Sequence, residues 1–76
     1  MITTKRGYPV FLDGKAVRER RLALGLSMRE LGKRAGLSLN SIYRSEQGGP
    51  ARADTARQLA RALGCTPTDL YAKDDT

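Results

Sequence analysis

Apolar positions along most of this chain return at helical spacing, and glycines interrupt them. Ala56, Leu59, Ala60 and Leu63 follow the i, i+3, i+4, i+7 pattern of a helix with one buried face, over about Asp54 to Leu63. Ser27 opens an earlier pattern with Glu30 three residues on, the spacing of a reciprocal capping box. Leu31 and Ala35 continue that stripe, and Gly36 is placed to stop it. Ser38 caps a further helix that carries Ile42 and ends before Gly48. Ahead of these, Asp13 is placed to cap a helix from about Gly14 to Leu24, on which Val17, Arg21 and Leu24 share a face and which Gly25 ends. Thr66-Pro67-Thr68-Asp69 reads as one more helix start, with a cap, a proline at the first helical position and an acid in the first turn. It predicts a short fifth helix through Leu70 and Tyr71.

Only Tyr8 to Leu12 has β character, and Pro9 limits it to an edge strand or an extended arm. That arm is free to pair with its copy in a dimer or to remain a loose tail. Met1 to Gly7 and Lys73 to Thr76 read as polar tails, and Gly48-Gly49-Pro50 breaks the chain. The predicted organisation is an all-α, compact five-helix domain over residues 13–72, an extended or flexible N-terminal arm over 1–12, and a polar tail over 73–76. There are no repeats and no low-complexity linker.

Between Leu26 and Gly48, two helices of roughly two to three turns are joined by a short turn containing glycine, which is the pattern of a helix-turn-helix. Its flanks make the likeness specific. Leu24-Gly25-Leu26-Ser27 leads in, Leu31-Gly32 precedes the turn glycine Gly36, and Glu46-Gln47-Gly48 closes the second helix. Leu59-Ala60-Arg61-Ala62-Leu63-Gly64 and Thr68-Asp69-Leu70 follow. Over about Asp13 to Tyr71 the chain resembles the Cro/repressor-type, or XRE-type, helix-turn-helix family. The resemblance implies a lambda-repressor-like DNA-binding domain whose second motif helix lies in the major groove.

Length and charge are compatible with that. Seventy-six residues make one small domain, and a chain this short buries only about 60 % of the surface it exposes when unfolded. A net charge of +6 and a pI near 10.1 suit a polyanionic partner. A single cysteine, Cys65, excludes an internal disulfide, and the absence of histidine leaves no metal-ligand set and no nucleophile–base pair for an enzyme. No cofactor is expected. Nothing approaches the roughly 20 apolar residues of a membrane span, and no signal-peptide pattern stands at the start, so a cytoplasmic place is expected.

The resemblance assigns candidate roles. Leu39, Asn40, Tyr43 and Arg44 stand at or beside the base-reading positions of the recognition helix. Asn40 is suited to adenine and Arg44 to guanine, each good bidentate pair being worth about 1–3 kcal/mol of discrimination. Leu39 replaces the usual polar residue and is suited to a thymine methyl. The plain alternatives are a local capping role for Asn40 and a solvated charge for Arg44. Phosphate contacts are expected from the start of the second helix, at Ser27, Met28 and Arg29, and from Ser41 and Arg52. Met28 stands where relatives often carry glutamine, and its side chain cannot donate. Lys5 and Arg6 are possible arm contacts. Arg21 and Glu46 match a partly buried ion pair between the first and third helices and are read as structural. Ser45 stands where an apolar residue is usual and weakens the core. Cys65 takes the place of a small apolar residue.

The expected function is a sequence-specific transcriptional regulator, a repressor acting by operator occupancy, with double-stranded DNA as partner. It is expected to bind as a homodimer on half-sites one helical turn apart. A chain of this length leaves no room for a ligand-sensing domain, so control is expected from concentration, a protein partner or operator arrangement. The alternatives are an antitoxin of a toxin–antitoxin pair, or a protein-interaction module that kept the fold without DNA binding.

Overall fold

The computed structural model describes residues 9–73. Strand β1 (Pro9–Leu12) leads into helix α1 (Gly14–Ala23), followed by α2 (Met28–Ala35) and α3 (Leu39–Gln47). Strand β2 (Gly49–Arg52), helix α4 (Ala53–Leu63) and a short 3-10 helix at Pro67–Leu70 complete the chain. Each helical element sends a large, fully buried side chain to the core, namely Val17, Leu31, Ile42, Leu59 and Leu70, and Leu12 of β1 joins them. Among the described residues no helix is long and apolar enough to cross a membrane.

The caps read from sequence form. Asp13 Oδ1 accepts from the N–H groups of Lys15 and Ala16, starting α1. Ser27 and Glu30 exchange both bonds of the capping box, at 3.0 and 2.8 Å. Ser38 Oγ accepts from Ser41 N–H at 3.1 Å. The Ser27 N–H and hydroxyl hold the Glu30 carboxyl below its ordinary value, and Thr66 does the same to Asp69. Both carboxylates therefore add stability above the ordinary carboxylate range, and that stability is lost as pH falls through their lowered values.

Among the described residues four α-helices, not five, surround the core, and the two strands mean that the domain is not all-α. The fifth helix is a four-residue 3-10 turn. It closes with a bond from the Tyr71 N–H to the Thr68 carbonyl, and Tyr71 itself is extended. The reason is β1: Leu12 bridges to Tyr71, and the Ala72 N–H donates to the Phe11 carbonyl at 2.7 Å. On its other side β1 pairs antiparallel with β2, in the register Pro9↔Arg52, Val10↔Ala51, Phe11↔Pro50, Leu12↔Gly49. Residues 9–12 are thus extended, as expected, yet they are part of the domain rather than an arm outside it. They pair within the chain, with Leu12 buried and Val10 packed against the core. Pro50 lacks an N–H and sits on the edge strand, where the loss is tolerated.

Helix α1 also ends one residue early, at Ala23. Leu24 becomes its C-cap and is 47 % exposed, so the buried face consists of Gly14, Val17 and Arg21 without it. Arg21 is an uncommon occupant of a core-facing position. Its guanidinium meets both carboxylate oxygens of Glu46, Nε with Oε2 and Nη2 with Oε1 at 3.1 Å. Its Nη1 donates to the Leu26 carbonyl at 2.9 Å. The side chains are 10 % and 4 % exposed. The bonds it donates to Glu46 hold the Arg21 guanidinium in its charged form and raise its pKa further above the ordinary value against the cost of burial. One end of α1 is held close to α3 by size as well: a Cβ on Gly14 would lie 2.3 Å from the Glu46 carbonyl oxygen.

Two stability measurements follow from this geometry. Arg21→Ala or Glu46→Ala should each cost about 3–5 kcal/mol, because the remaining charge stays buried and unpaired. A double-mutant cycle on urea unfolding should return a large coupling energy, and a value near zero would show that the pair contributes independently. Gly32→Ala should lower the melting temperature although alanine favours helix by about 1 kcal/mol. The added Cβ would sit 2.7 Å from the Leu37 carbonyl oxygen and displace the turn between α2 and α3. A melting temperature raised by the substitution would show that the turn gives way freely.

Candidate nucleic-acid interface

Helix α3 turns Ile42, Ser45 and the Glu46 side chain inward. The helical repeat then puts Leu39, Asn40, Tyr43, Arg44 and Gln47 outward, and all five are exposed. Among the described residues the Asn40 side chain makes no hydrogen bond and Arg44 has no carboxylate partner, so neither is engaged in capping or pairing. Glu46 is the one acid in α3, and its pairing with Arg21 leaves the outer face of the helix without negative charge.

The serines of α3 serve the helix itself. Ser38 Oγ accepts from the Ser41 N–H and donates to Ser41 Oγ at 3.0 Å, which leaves the Ser41 hydroxyl proton free to donate elsewhere. Ser45, expected to weaken the core, is 5 % exposed, and its hydroxyl donates to the Ser41 carbonyl at 2.8 Å. Its polarity is therefore satisfied inside the helix, and no buried side-chain nitrogen or oxygen among the described residues lacks a partner.

One flank of α3 borders an open groove of about 430 Å³, with Leu12 and Ala51 among its apolar lining. Arg44 and Arg52 line it together with Ser41, Ser45, Thr55 and Pro9, and among the described residues no acidic one does. Two sequence candidates, Arg44 and Arg52, thus border one cleft, brought there by α3 and β2. Thr55 and Gln47 are additions that sequence reasoning missed. Gln47 lies three residues beyond Arg44 and seven beyond Asn40, a spacing that marks the shared face. Thr55 had no such signal, because its place depends on β2.

The start of α2 is a second polar region. Ser27 and Arg29 are exposed there, and the first N–H groups of the helix have no intrahelical partner. The capping box engages the Ser27 hydroxyl and brings the Glu30 carboxylate to the same end. Met28 is half-buried, with its side chain packed against the core, so this side chain is structural and only its backbone remains available to an anion. Cys65 is likewise packed against the core, and burial raises its thiol pKa. Lys5 and Arg6 lie outside the described residues. No group of His, Cys, Asp and Glu among the described residues has the arrangement to hold a metal ion.

Comparison with known proteins accords with this geometry. The helix-turn-helix family profile matches residues 17–70. A protein of Methanothermobacter thermautotrophicus, provisionally named an HTH-type transcriptional regulatory protein, is 35 % identical over 79 residues, covering 99 % of this chain and 25 % of that protein. A protein of Archaeoglobus fulgidus with the same provisional name is 34 % identical over 58 residues, covering 76 % of this chain and 19 % of its own length. The chain therefore spans a quarter or less of these relatives. No solved structure matches it. The chain belongs to the helix-turn-helix family.

Proposed function

We propose that this member of the helix-turn-helix family is a sequence-specific DNA-binding transcriptional regulator that represses by occupying its operator. The observation that carries the reading is the outer face of α3, which presents Asn40 and Arg44 without partners among the described residues and carries no acidic side chain of its own. Such a face meets the electronegative major groove without repulsion, and its polar groups keep their hydrogen-bonding capacity for base edges. The provisional name of the archaeal relatives, an HTH-type transcriptional regulatory protein, supports the same reading.

In this reading α3 lies in the major groove with Leu39 and Asn40 of its first turn nearest the bases. Asn40 pairs with an adenine, Arg44 with a guanine, and Leu39 packs on a thymine methyl. Arg52, Ser41 and Arg29 hold phosphates on either side, and the Met28 N–H at the start of α2 adds a weak anion site beside Ser27, whose own N–H is held by Glu30. Lys5 and Arg6 extend these contacts from the chain ahead of Pro9. A homodimer on a pseudo-palindrome presents two such units one helical turn apart. The proposed action is steric, involves no chemistry and takes place in the cytoplasm.

Selection of bound fragments from genomic DNA with the purified protein tests the reading. Recovery of a recurrent motif, with half-sites about 10–10.5 base pairs apart, is the expected result. Recovery of no enriched sequence at low salt sinks it.

On the recovered operator, Arg44→Ala should relax base preference at one position of each half-site and weaken binding by about 1–3 kcal/mol per half-site. Equal weakening on operator and random DNA would make Arg44 a phosphate-binding residue instead. Affinity should also fall steeply with salt, and Arg52→Ala and Arg29→Ala should each flatten the log–log slope by about one unit. A slope unchanged in both variants would move the phosphate-facing surface elsewhere.

A further inference from the structure

The outer face of α3 is not uniform. Beside the polar stripe of Asn40 and Arg44 runs an apolar one made by Leu39 and Tyr43, which are 43 % and 52 % exposed. They are four residues apart, so their side chains lie one above the other on the same side of the helix. Neither position is required by the core, which α3 meets through Ile42 and Ser45. A leucine and an aromatic ring side by side on this face offer an apolar contact to whatever the helix meets.

The proposed ligand narrows what that contact meets. Along the floor of the major groove, the apolar substituent on a base edge is the methyl group at C5 of a pyrimidine, carried by thymine. Its exposed position is the same on 5-methylcytosine, where the pairing edge is that of cytosine. The charge beside the stripe agrees: Arg44 and Arg52 border the neighbouring groove, and among the described residues no acidic one lines it. That suits DNA phosphates better than the apolar patch of another protein. Four residues of helix rise about 6 Å, close to two base-pair steps of about 3.4 Å, so the two side chains are spaced for methyl groups on nearby base pairs.

Building on the function proposed above, we propose that Leu39 and Tyr43 together read pyrimidine C5 methyl groups, so that binding responds to cytosine C5-methylation as it does to thymine. Leu39 packs its branched end on one methyl, and Tyr43 offers its ring to a second. Asn40 and Arg44 read hydrogen-bonding edges, whereas the Leu39–Tyr43 stripe reads a group that carries no hydrogen-bonding information. The regulator therefore distinguishes methylated from unmethylated copies of one sequence.

Fluorescence anisotropy of the full 76-residue chain with a labelled duplex carrying the selected operator tests this. Each thymine is replaced singly by uracil, which removes the methyl and keeps the pairing. At one or two positions of each half-site, affinity should fall about four-fold, the equivalent of one methyl-sized group returned to water. At those positions a 5-methylcytosine·guanine pair should bind tighter than cytosine·guanine by about the same factor. Leu39→Ala should abolish one of these sensitivities and Tyr43→Ala the other, with unchanged thermal unfolding by circular dichroism. Specific binding that ignores both uracil and methylation overturns the proposal and leaves the DNA-binding reading intact. If both alanine variants bind every duplex as the wild type does, the stripe faces a protein surface and the proposal is again overturned. Absence of any selected operator overturns the DNA-binding reading itself, and this inference with it.

Discussion

The contact between Arg21 and Glu46 sets where α3 lies. The guanidinium joins three segments: α1, which carries it, the Leu26 carbonyl just before α2, and the last turn of α3. Burying two charges is costly, and the attraction between them offsets that cost only when the geometry is good and the remaining donors are met. Here the bond is two-pronged, and the third guanidinium nitrogen has its own acceptor. An apolar contact at the same place tolerates sliding, whereas a forked bond does not. Near the other end of α1, Gly14 lets the backbone of α3 come close enough that no side chain fits between. The same pair has an electrostatic consequence, because it withdraws the one carboxylate of α3 from the face that the helix shows to solvent. Much of the remaining acidity is also engaged: Asp13, Glu30 and Asp69 at helix starts and Asp54 with Arg57. The basic side chains that border α3, Arg44 and Arg52, have no such partner among the described residues.

The sheet has a similar role on the opposite flank of α3. Strand β1 is held on one side by β2 and on the other by Tyr71 and Ala72, so the first and last described segments of the chain close on each other. Val10 and Leu12 face the core while Pro9 and Phe11 face out, the period-two alternation of a strand with one buried side. Arg52, opposite Pro9, is thereby carried to the groove beside Arg44. Without this pairing the connection between α3 and α4 is a glycine-rich loop with nothing to fix where Arg52 points.

Local signals account for what the sequence made legible. The caps at Asp13, Ser27 and Ser38 depend on residues within three positions, and Ile42 inward dictates which α3 residues face outward. Periodicity puts Arg21 on the Val17 face of α1, but its pairing with Glu46, 25 residues on, was accessible only through resemblance. What escaped reading is non-local. Gly49-Pro50-Ala51-Arg52 contains no strong strand former and becomes a strand because β1 supplies its partner. Once Leu12 requires Tyr71, the predicted last helix has no room for more than one turn. Leu24 continues the apolar pattern of α1, but the helix stops before it. Gln47 carried a helical spacing that could have been read, whereas Thr55 and the groove depend on β2 and could not.

Helix α3 is itself a poor helix by composition. Asn40, Ser41, Ile42, Tyr43 and Ser45 all rank below the straight-chain residues in helix propensity, and nine residues are fewer than an isolated helix needs in water. The helix persists because its surroundings hold it, through the Ser38 cap, Ile42 in the core, the Ser45 back-bond and Glu46 on Arg21. That arrangement divides the work among positions. Residues 38, 42, 45 and 46 secure the helix from below and at its ends, and so 39, 40, 43, 44 and 47 need not be strong helix formers. Leucine, asparagine and tyrosine can then stand on the exposed face for what they contact. The order of the outer face of α3 is thus a property of the core, and a substitution beneath the helix disturbs that face without touching any outward residue.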